Sequence, residues 1–401
     1  MKGMRLAWIL CLWIGLYGTA PAAAAADKAV LTIGYVELDG DPRYKSKRME
    51  AQLQGQPWGR PVAGAEVALR EARFPLAGVG VGFELRRVSG RTLAELEGAV
   101  DALVDGGVHF VLADLPDAAL IGLAAHLRGL PVLLFNVSAL SDRLRKDLCQ
   151  ANLLHLAPSR AMLSDALAQY LVSRKWRDVL VLKGGRDEDR DLHSALQRSI
   201  RRFGLKVVDT RPFRLGRDPR QRNRNNILLL TSGRDYDVVA VVDTDGEFAR
   251  EVPYQIQRPR PVVGSAGLVP DWWHWAWERH GAPQLNNRFM KRTGRHMTGY
   301  DWAAWMGVKA LTEAVVRTGG TEFDRLVAYL KGKDIVLDGF KGYRLSFRPW
   351  NGQLRQPLFL TTSNWVVSRV PLAGFLHARN NLDTLGLGPE EVDCNLGGGG
   401  S

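Results

Sequence analysis

The sequence predicts an α/β protein of two wound domains, each a parallel sheet covered by helices. Three observations predict it. The stretch from Val108 to Leu144 (VHFVLADLPDAALIGLAAHLRGLPVLLFNVSALSDRL) reads as one βαβ unit: an apolar run to Ala113, helical spacing of Ala and Leu from Pro116 to Leu127, a stop at Gly129, and a second apolar run from Val132 to Phe135. Neither run alternates with polar residues, as expected of strands covered on both faces. Alternation of such runs with helical segments continues along most of a chain of 401 residues, too long for one ordinary core. Parallel strands place the turns that follow them, 114–117 and 136–141, on one edge of the sheet, where open α/β sheets bind ligands.

Taken in order, the chain opens with Lys2 and Arg5, an apolar run from Leu6 to Tyr17, then Pro21 and the alanines 22–26. This is the pattern of a cleaved export signal over 1–26, and the apolar run is too short to span a bilayer. The sequence thus predicts a free soluble protein in an exported compartment. Loss of Lys2 and Arg5 takes the formal charge from +12 to +10, a balance that favours acidic partners or anionic surfaces. Export argues against nucleic acid. Two cysteines then remain, Cys149 and Cys394, and an oxidising compartment permits either a bridge between them or two buried thiols.

Val30 to Glu37 is the first buried strand, followed by a long polar stretch to Trp58 that includes Asp39. Helices are expected over Gly64–Ala72, Leu93–Leu103, Ser159–Arg174, Leu192–Phe203 and Asp301–Val316. Strands are expected over Gly82–Val88, Val179–Leu182, Lys206–Asp209, Val238–Val242 and from Val262 to Gly264, with antiparallel pieces at Tyr343–Phe347 and Phe359–Val367. Arg211 to Asn226 is a basic run that reads as a solvated loop or a dock for an acidic partner. Gly397 to Ser401 has the composition of a flexible linker or a sequence scar.

Acids collect at the strand ends. Glu37, Asp39, Asp114, Asp117, Asp187, Glu188, Asp243 and Asp245 fall at or just after predicted strand ends, where they serve as helix caps and strand ends or converge as oxygen ligands for a cation. Asp114, Asp117, Asp243 and Asp245 are the metal candidates; Asn136, Ser138 and Ser141 are the uncharged candidates for ligand hydrogen bonds, or a turn and cap. Trp272, Trp273, Trp275 and Trp277 read as a stacking surface for a flat ligand or partner, or as packing, whereas Trp302 and Trp305 share a helix face and read as core. No Gly-x-Ser-x-Gly, His-Glu-x-x-His, Cys-x-x-Cys or phosphate loop occurs, so no catalytic residue is assigned and no cofactor is required.

Gly64-Ala65 through Glu71-Ala72, Pro131 to Ser141, Ala157-Pro158-Ser159 and Tyr300-Asp301 with Ala303 and Ala310 together resemble the type I substrate-binding proteins of ABC transporters, the group that includes branched-chain amino-acid binders. PQLNNRF, GRHM and DWAAW are similar to a subgroup associated with alcohol oxidation dependent on pyrroloquinoline quinone (PQQ). The resemblance implies two Rossmann-like lobes joined by three crossing segments, 27–153 with 265–334 and 155–262 with 337–370, followed by a tail over 371–396. It also implies a non-enzymatic importer component that holds a metabolite, PQQ or a metal or lanthanide complex in the cleft and meets an inner-membrane ABC permease. The alternative is an accessory of the same fold that binds a dehydrogenase or cytochrome. Where the amino-acid binders have Gly-Pro and serines, this chain has Ala113-Asp114-Leu115-Pro116-Asp117, which would repel a substrate carboxylate.

Overall fold

A computed structural model describes residues 29–46, 56–215, 224–394 and 396. The export signal, the middle of the basic run and the glycine-rich end lie outside the described residues. The first sheet has five parallel strands in the order β2-β1-β3-β4-β5: β1 (Ala29–Leu38), β2 (Val81–Gly90), β3 (Phe110–Asp114), β4 (Leu133–Asn136) and β5 (Leu153–His155). The second has four, in the order β7-β6-β8-β9: β6 (Asp178–Lys183), β7 (Lys206–Pro212), β8 (Val238–Val242) and β9 (Val262–Gly264). All their pairings are parallel.

Period-two alternation divides each strand between two apolar layers. Ile33, Tyr35, Phe110 and Leu112 face the layer of α1 (Val62–Ala77) and α9 (Gly299–Thr318). Val36, Val111 and Ala113 face α2 (Leu93–Asp105) and α3 (Asp117–His126). In the second sheet Val179, Val181 and Ala240 face α4 (Arg160–Ser173) and α5 (Asp187–Arg202), and Leu180, Leu182 and Val241 face the opposite layer with Phe213 and Phe248. This two-sided burial is why the strands read as unbroken apolar runs.

The chain leaves the first sheet after β5 and returns after β9. Beyond the short α6 (Ile227–Leu230) and α7 (Val252–Gln255) come α8 (Ala282–Thr293), α9 and α10 (Phe323–Lys331), after which the chain crosses a third time. Strand β10 (Val269–Asp271) joins β14 (Leu358–Thr362) and β15 (Trp365–Val370) in an antiparallel sheet, and the chain just after the third crossing carries the small strands β11 (Leu337–Asp338), β12 (Arg344–Phe347) and β13 (Leu354–Arg355). The first crossing is bonded to the segment that follows the third: His155 N donates to Gly352 O at 2.9 Å, and Gln356 Nε2 donates to Leu156 O at 2.7 Å. Arg145, 1% exposed, donates to Ala139 O and Ser141 O and reaches Ala157 O and Gln353 in the same knot.

Trp302 and Trp305 are fully buried, as their spacing predicts. The 272–277 tryptophans form no helix. Trp273 stacks on Trp302, Trp275 stacks on His296 at 4.2 Å, and Trp277 Nε1 donates to Phe340 O, so the cluster packs rather than offering one stacking plane. Among the described residues no helix is long and apolar enough to cross a membrane.

Candidate functional site

The parallel register of β1, β3 and β4 delivers Leu38, Asp114 and Asn136 to one sheet edge. Asp114 is fully buried there and surrounded by donors from its own chain. Tyr44 Oη donates to it at 2.9 Å, Arg43 Nη2 at 3.0 Å, Tyr35 Oη at 3.3 Å and Arg60 Nη1 at 3.4 Å. Arg43 also grips Asp41 through Nε and Nη2, and its guanidinium lies within 5.1 Å of the Tyr44 ring centre and 5.6 Å of that of Tyr300. Burial alone would lower the Arg43 pKa, but Asp114, Tyr44, the hydrogen bond to Asp41 and Tyr300 together more than offset it and leave it raised. Burial, with Asp114 next, pushes the Tyr35 and Tyr44 hydroxyls well above the ordinary tyrosine value.

The next turn is built on Asn136. Its side-chain oxygen accepts from Ser138 N and Ala139 N, and its amide donates to Ala139 O at 2.8 Å. Ser138 Oγ donates to Leu115 O, which ties this turn to the one after β3. Asp117 opens α3 and accepts from Ser141 N at 3.0 Å and from Arg160 Nη1 at 2.7 Å. Asn136 and Ser138 thus act as turn residues, and Ser141 meets Asp117 through its backbone.

At the edge of the second sheet Asp187 and Glu188 are exposed on the first turn of α5, with Asp187 paired to Arg190. The buried acid is their neighbour Asp189, which accepts from Arg186 N at 3.0 Å and from Thr244 N and Oγ1 at 2.8 and 2.7 Å. It joins the ends of β6 and β8. Asp243 accepts from Ala249 N at 2.8 Å, and burial, with Asp245 beside it, raises its pKa to about 6. Asp245 pairs with Arg186 at 2.5 Å. Asp39 is exposed and accepts from Ser89 Oγ.

The acids therefore do not converge as a cation site. Asp114, Asp117 and Asp245 are each met by arginine, Asp243 by backbone, and among the described residues no group of three or more His, Cys, Asp or Glu could hold a metal ion. Of the two readings of these acids, pairing and capping are what the structure shows, because guanidinium and backbone N–H groups already hold the oxygens that a cation would need. The residues that organise the edge, Arg43, Tyr44, Arg60, Arg160, Asp189 and Tyr300, went unpredicted. Only the unusual length of the 38–58 stretch hinted at the first two. Cys149 and Cys394 are joined in a disulfide with Cα atoms 5.6 Å apart.

No family model and no curated protein matches the chain. Solved structures do match. An ABC transporter substrate-binding protein from Sphaerobacter thermophilus superposes with a TM-score of 0.67 at 16% identity, over 89% of this chain and 100% of that one. A branched-chain amino acid ABC transporter periplasmic ligand-binding protein from Burkholderia xenovorans gives 0.66 at 13%, over 85% and 95%. A solute-binding protein of an ABC transporter from Rhodopseudomonas palustris, in complex with 3,4-dihydroxybenzoic acid, gives 0.62 at 13%, over 83% and 93%. The chain thus has the two-lobed α/β fold of the type I periplasmic binding proteins.

Proposed function

We propose that this protein is the periplasmic solute-binding component of an ABC importer, a binding protein rather than an enzyme, with its ligand held between lobes 27–153 with 265–334 and 155–262 with 337–370. One observation carries the reading. The Asp117–Arg160 ion pair joins the turn after β3 in one lobe to the first helix of the other, at the edge where Asp114, Arg43, Tyr44 and Tyr300 gather. Open α/β sheets bind ligands at such an edge, and closure over a ligand that touches both lobes is what a permease would recognise. The fold likeness supports the same reading.

Because arginines already neutralise the acids of the first lobe, what remains for a ligand is aromatic faces and guanidinium edges. That chemistry suits a flat, electron-poor or anionic molecule better than a bare metal ion. PQQ meets the description, and the resemblance of PQLNNRF, GRHM and DWAAW to the subgroup associated with PQQ-dependent alcohol oxidation is the reason to choose it. A thermal-shift panel with PQQ, 3,4-dihydroxybenzoate, leucine and a lanthanide salt tests this. Stabilisation by PQQ supports it; a response to leucine alone moves the cargo to amino acids.

One observation favours a second reading. Arg43 and Tyr44 already occupy Asp114, as expected of an accessory that kept the fold and binds a dehydrogenase or cytochrome instead. In that case no small molecule shifts the melting temperature, and an acidic partner is retained in a manner that weakens with salt.

A further inference from the structure

We infer that the C-terminal tail is a covalent clasp that limits how far the two lobes can move apart, and that reduction of Cys149–Cys394 releases it. The inference goes beyond ligand identity and depends only on the two-lobed fold.

The tail leaves β15 and lies along the second lobe. Leu372 N donates to Gln169 Oε1 at 3.2 Å, and Phe375 packs edge-on against Phe203 with ring centres 5.8 Å apart. Leu382, Leu385 and Leu387 are buried. Gly386 is held from both sides: its N–H donates to Asp165 at 2.8 Å, and its carbonyl accepts from Arg198 and Arg202 at 3.0 and 2.8 Å. Glu391 then pairs with Arg198 at 2.7 Å. Asp165 lies on α4 and both arginines on α5, so to this point the tail belongs to the second lobe.

It also grips the small strands that follow the third crossing. Asp383 accepts from Arg348 at 3.0 Å and from Arg355 at 2.8 Å, and Trp350 Nε1 donates to Leu387 O at 3.2 Å. Its end passes to the first lobe. Asp393 N donates to Lys146 O at 2.9 Å, and Cys394 is bonded to Cys149 in the segment between β4 and β5.

A two-lobed protein with three crossings thus carries a fourth tie, and this one is a covalent bond made by oxidation. Glu391 to Cys394 spans three residues, which reach at most about 10 Å fully extended. While Glu391 holds Arg198, the first-lobe segment around Cys149 cannot travel farther than that slack. The oxidised chain therefore has a narrower range of lobe separations than the reduced one, and a ligand that needs the closed form pays less to reach it.

Release is an ordinary exchange. A dithiol reductant attacks one sulfur of the bridge and expels the other as a thiolate; its second thiol resolves the mixed disulfide. Cys149 and Cys394 end as thiols, and the reductant carries away the two electrons as its own disulfide.

The test is hydrogen–deuterium exchange with small-angle X-ray scattering on the full mature chain, oxidised and after reduction by a phosphine. The expected result is about tenfold faster exchange at the cleft turns 114–117, 136–141 and 184–189 and a distance distribution shifted to longer values, both reversed on reoxidation. The oxidised-buffer variant C149S/C394S should match the reduced protein. Acceleration confined to 380–394 and 143–150, with the cleft turns and scattering unchanged, overturns the inference. So does loss of far-UV circular dichroism on reduction, since the bridge would then be a folding staple. The outcome does not depend on which ligand the cleft takes.

Discussion

Asp117 and Arg160 form a bridge between lobes in which a single carboxylate answers two partners, the Arg160 guanidinium at 2.7 Å and Ser141 N at 3.0 Å. The Arg160 side chain is 9% exposed and that of Asp117 24%, so the guanidinium in particular has little access to water as an alternative partner. Removing one partner strands the other. Asp117→Asn and Arg160→Met should each destabilise the protein by about 3 kcal/mol, while the double variant should lose clearly less than the two combined. Urea unfolding of the four proteins measures the coupling, and a value near zero would refute the bridge.

Asp114 offers a sharper distinction between a structural and a ligand-holding carboxylate. In Asp114→Ala, Arg43 and Arg60 lose their shared anion and the Tyr35 and Tyr44 hydroxyls lose an acceptor. A loss of about 3–5 kcal/mol is expected, read as a lower denaturation midpoint in the absence of any ligand. Were Asp114 instead kept for a cation, the variant would be as stable as the parent or more so, because a buried charge would have been removed.

The fold was readable because its strands are buried on both faces. Runs such as Val238–Val242 and Val179–Leu182 carry no polar break, and Ser159 and Thr92 accept from backbone N–H groups at the starts of α4 and α2, as capping residues do. The site was legible in position but not in chemistry. Asp114 and Asp117 do stand at the sheet edge, yet nothing local to them reveals Arg43, which is 71 residues from Asp114 in sequence, or Arg160, which is 43 from Asp117. Asp187 and Glu188 illustrate the other failure: the strand ends at Lys183, α5 begins at Asp187, and helical geometry then turns Asp189 inward while its two neighbours meet solvent.

Asp271 predicts a pH dependence of stability. Burial raises its carboxyl to about 6, although the N–H groups of Trp272 and Trp273 donate to it. In the unfolded chain the group titrates near ~3.9. Between roughly pH 4 and 6 the folded state binds the extra proton, so this group's contribution to stability falls as pH rises through that window and stays low above it. Asp271→Asn keeps a side-chain oxygen for the two N–H groups and removes the charge. Its melting temperature at neutral pH should exceed the parent's, by at most about 3 kcal/mol of stability given the partial solvent contact at this residue, and the difference should vanish near pH 4. A difference that grew on acidification would mean that the carboxylate is stabilised in the fold.

Gly64 sets how closely α1 approaches α9. A Cβ built on it would lie 2.0 Å from the Asp301 carbonyl oxygen and 2.7 Å from its carbonyl carbon, both backbone atoms that no rotamer change can move. Asp301 is itself fixed, since it completes the capping box of α9 with Thr298 and accepts from Arg295 at 2.6 and 2.8 Å. The added methyl group must therefore separate the two helices along the layer that covers Ile33, Tyr35, Phe110 and Leu112. Gly64→Ala normally gains from helix propensity by about 1 kcal/mol, and here that gain is opposed by overpacking against an immobile backbone. A net loss of at least about 2 kcal/mol is expected, whereas Gly98→Ala, at a position in α2 where a Cβ meets nothing within 4 Å, should be neutral or stabilising. Chemical denaturation of the pair separates close helix contact from propensity, and equal effects at the two positions would show that α1 and α9 are not packed backbone to backbone.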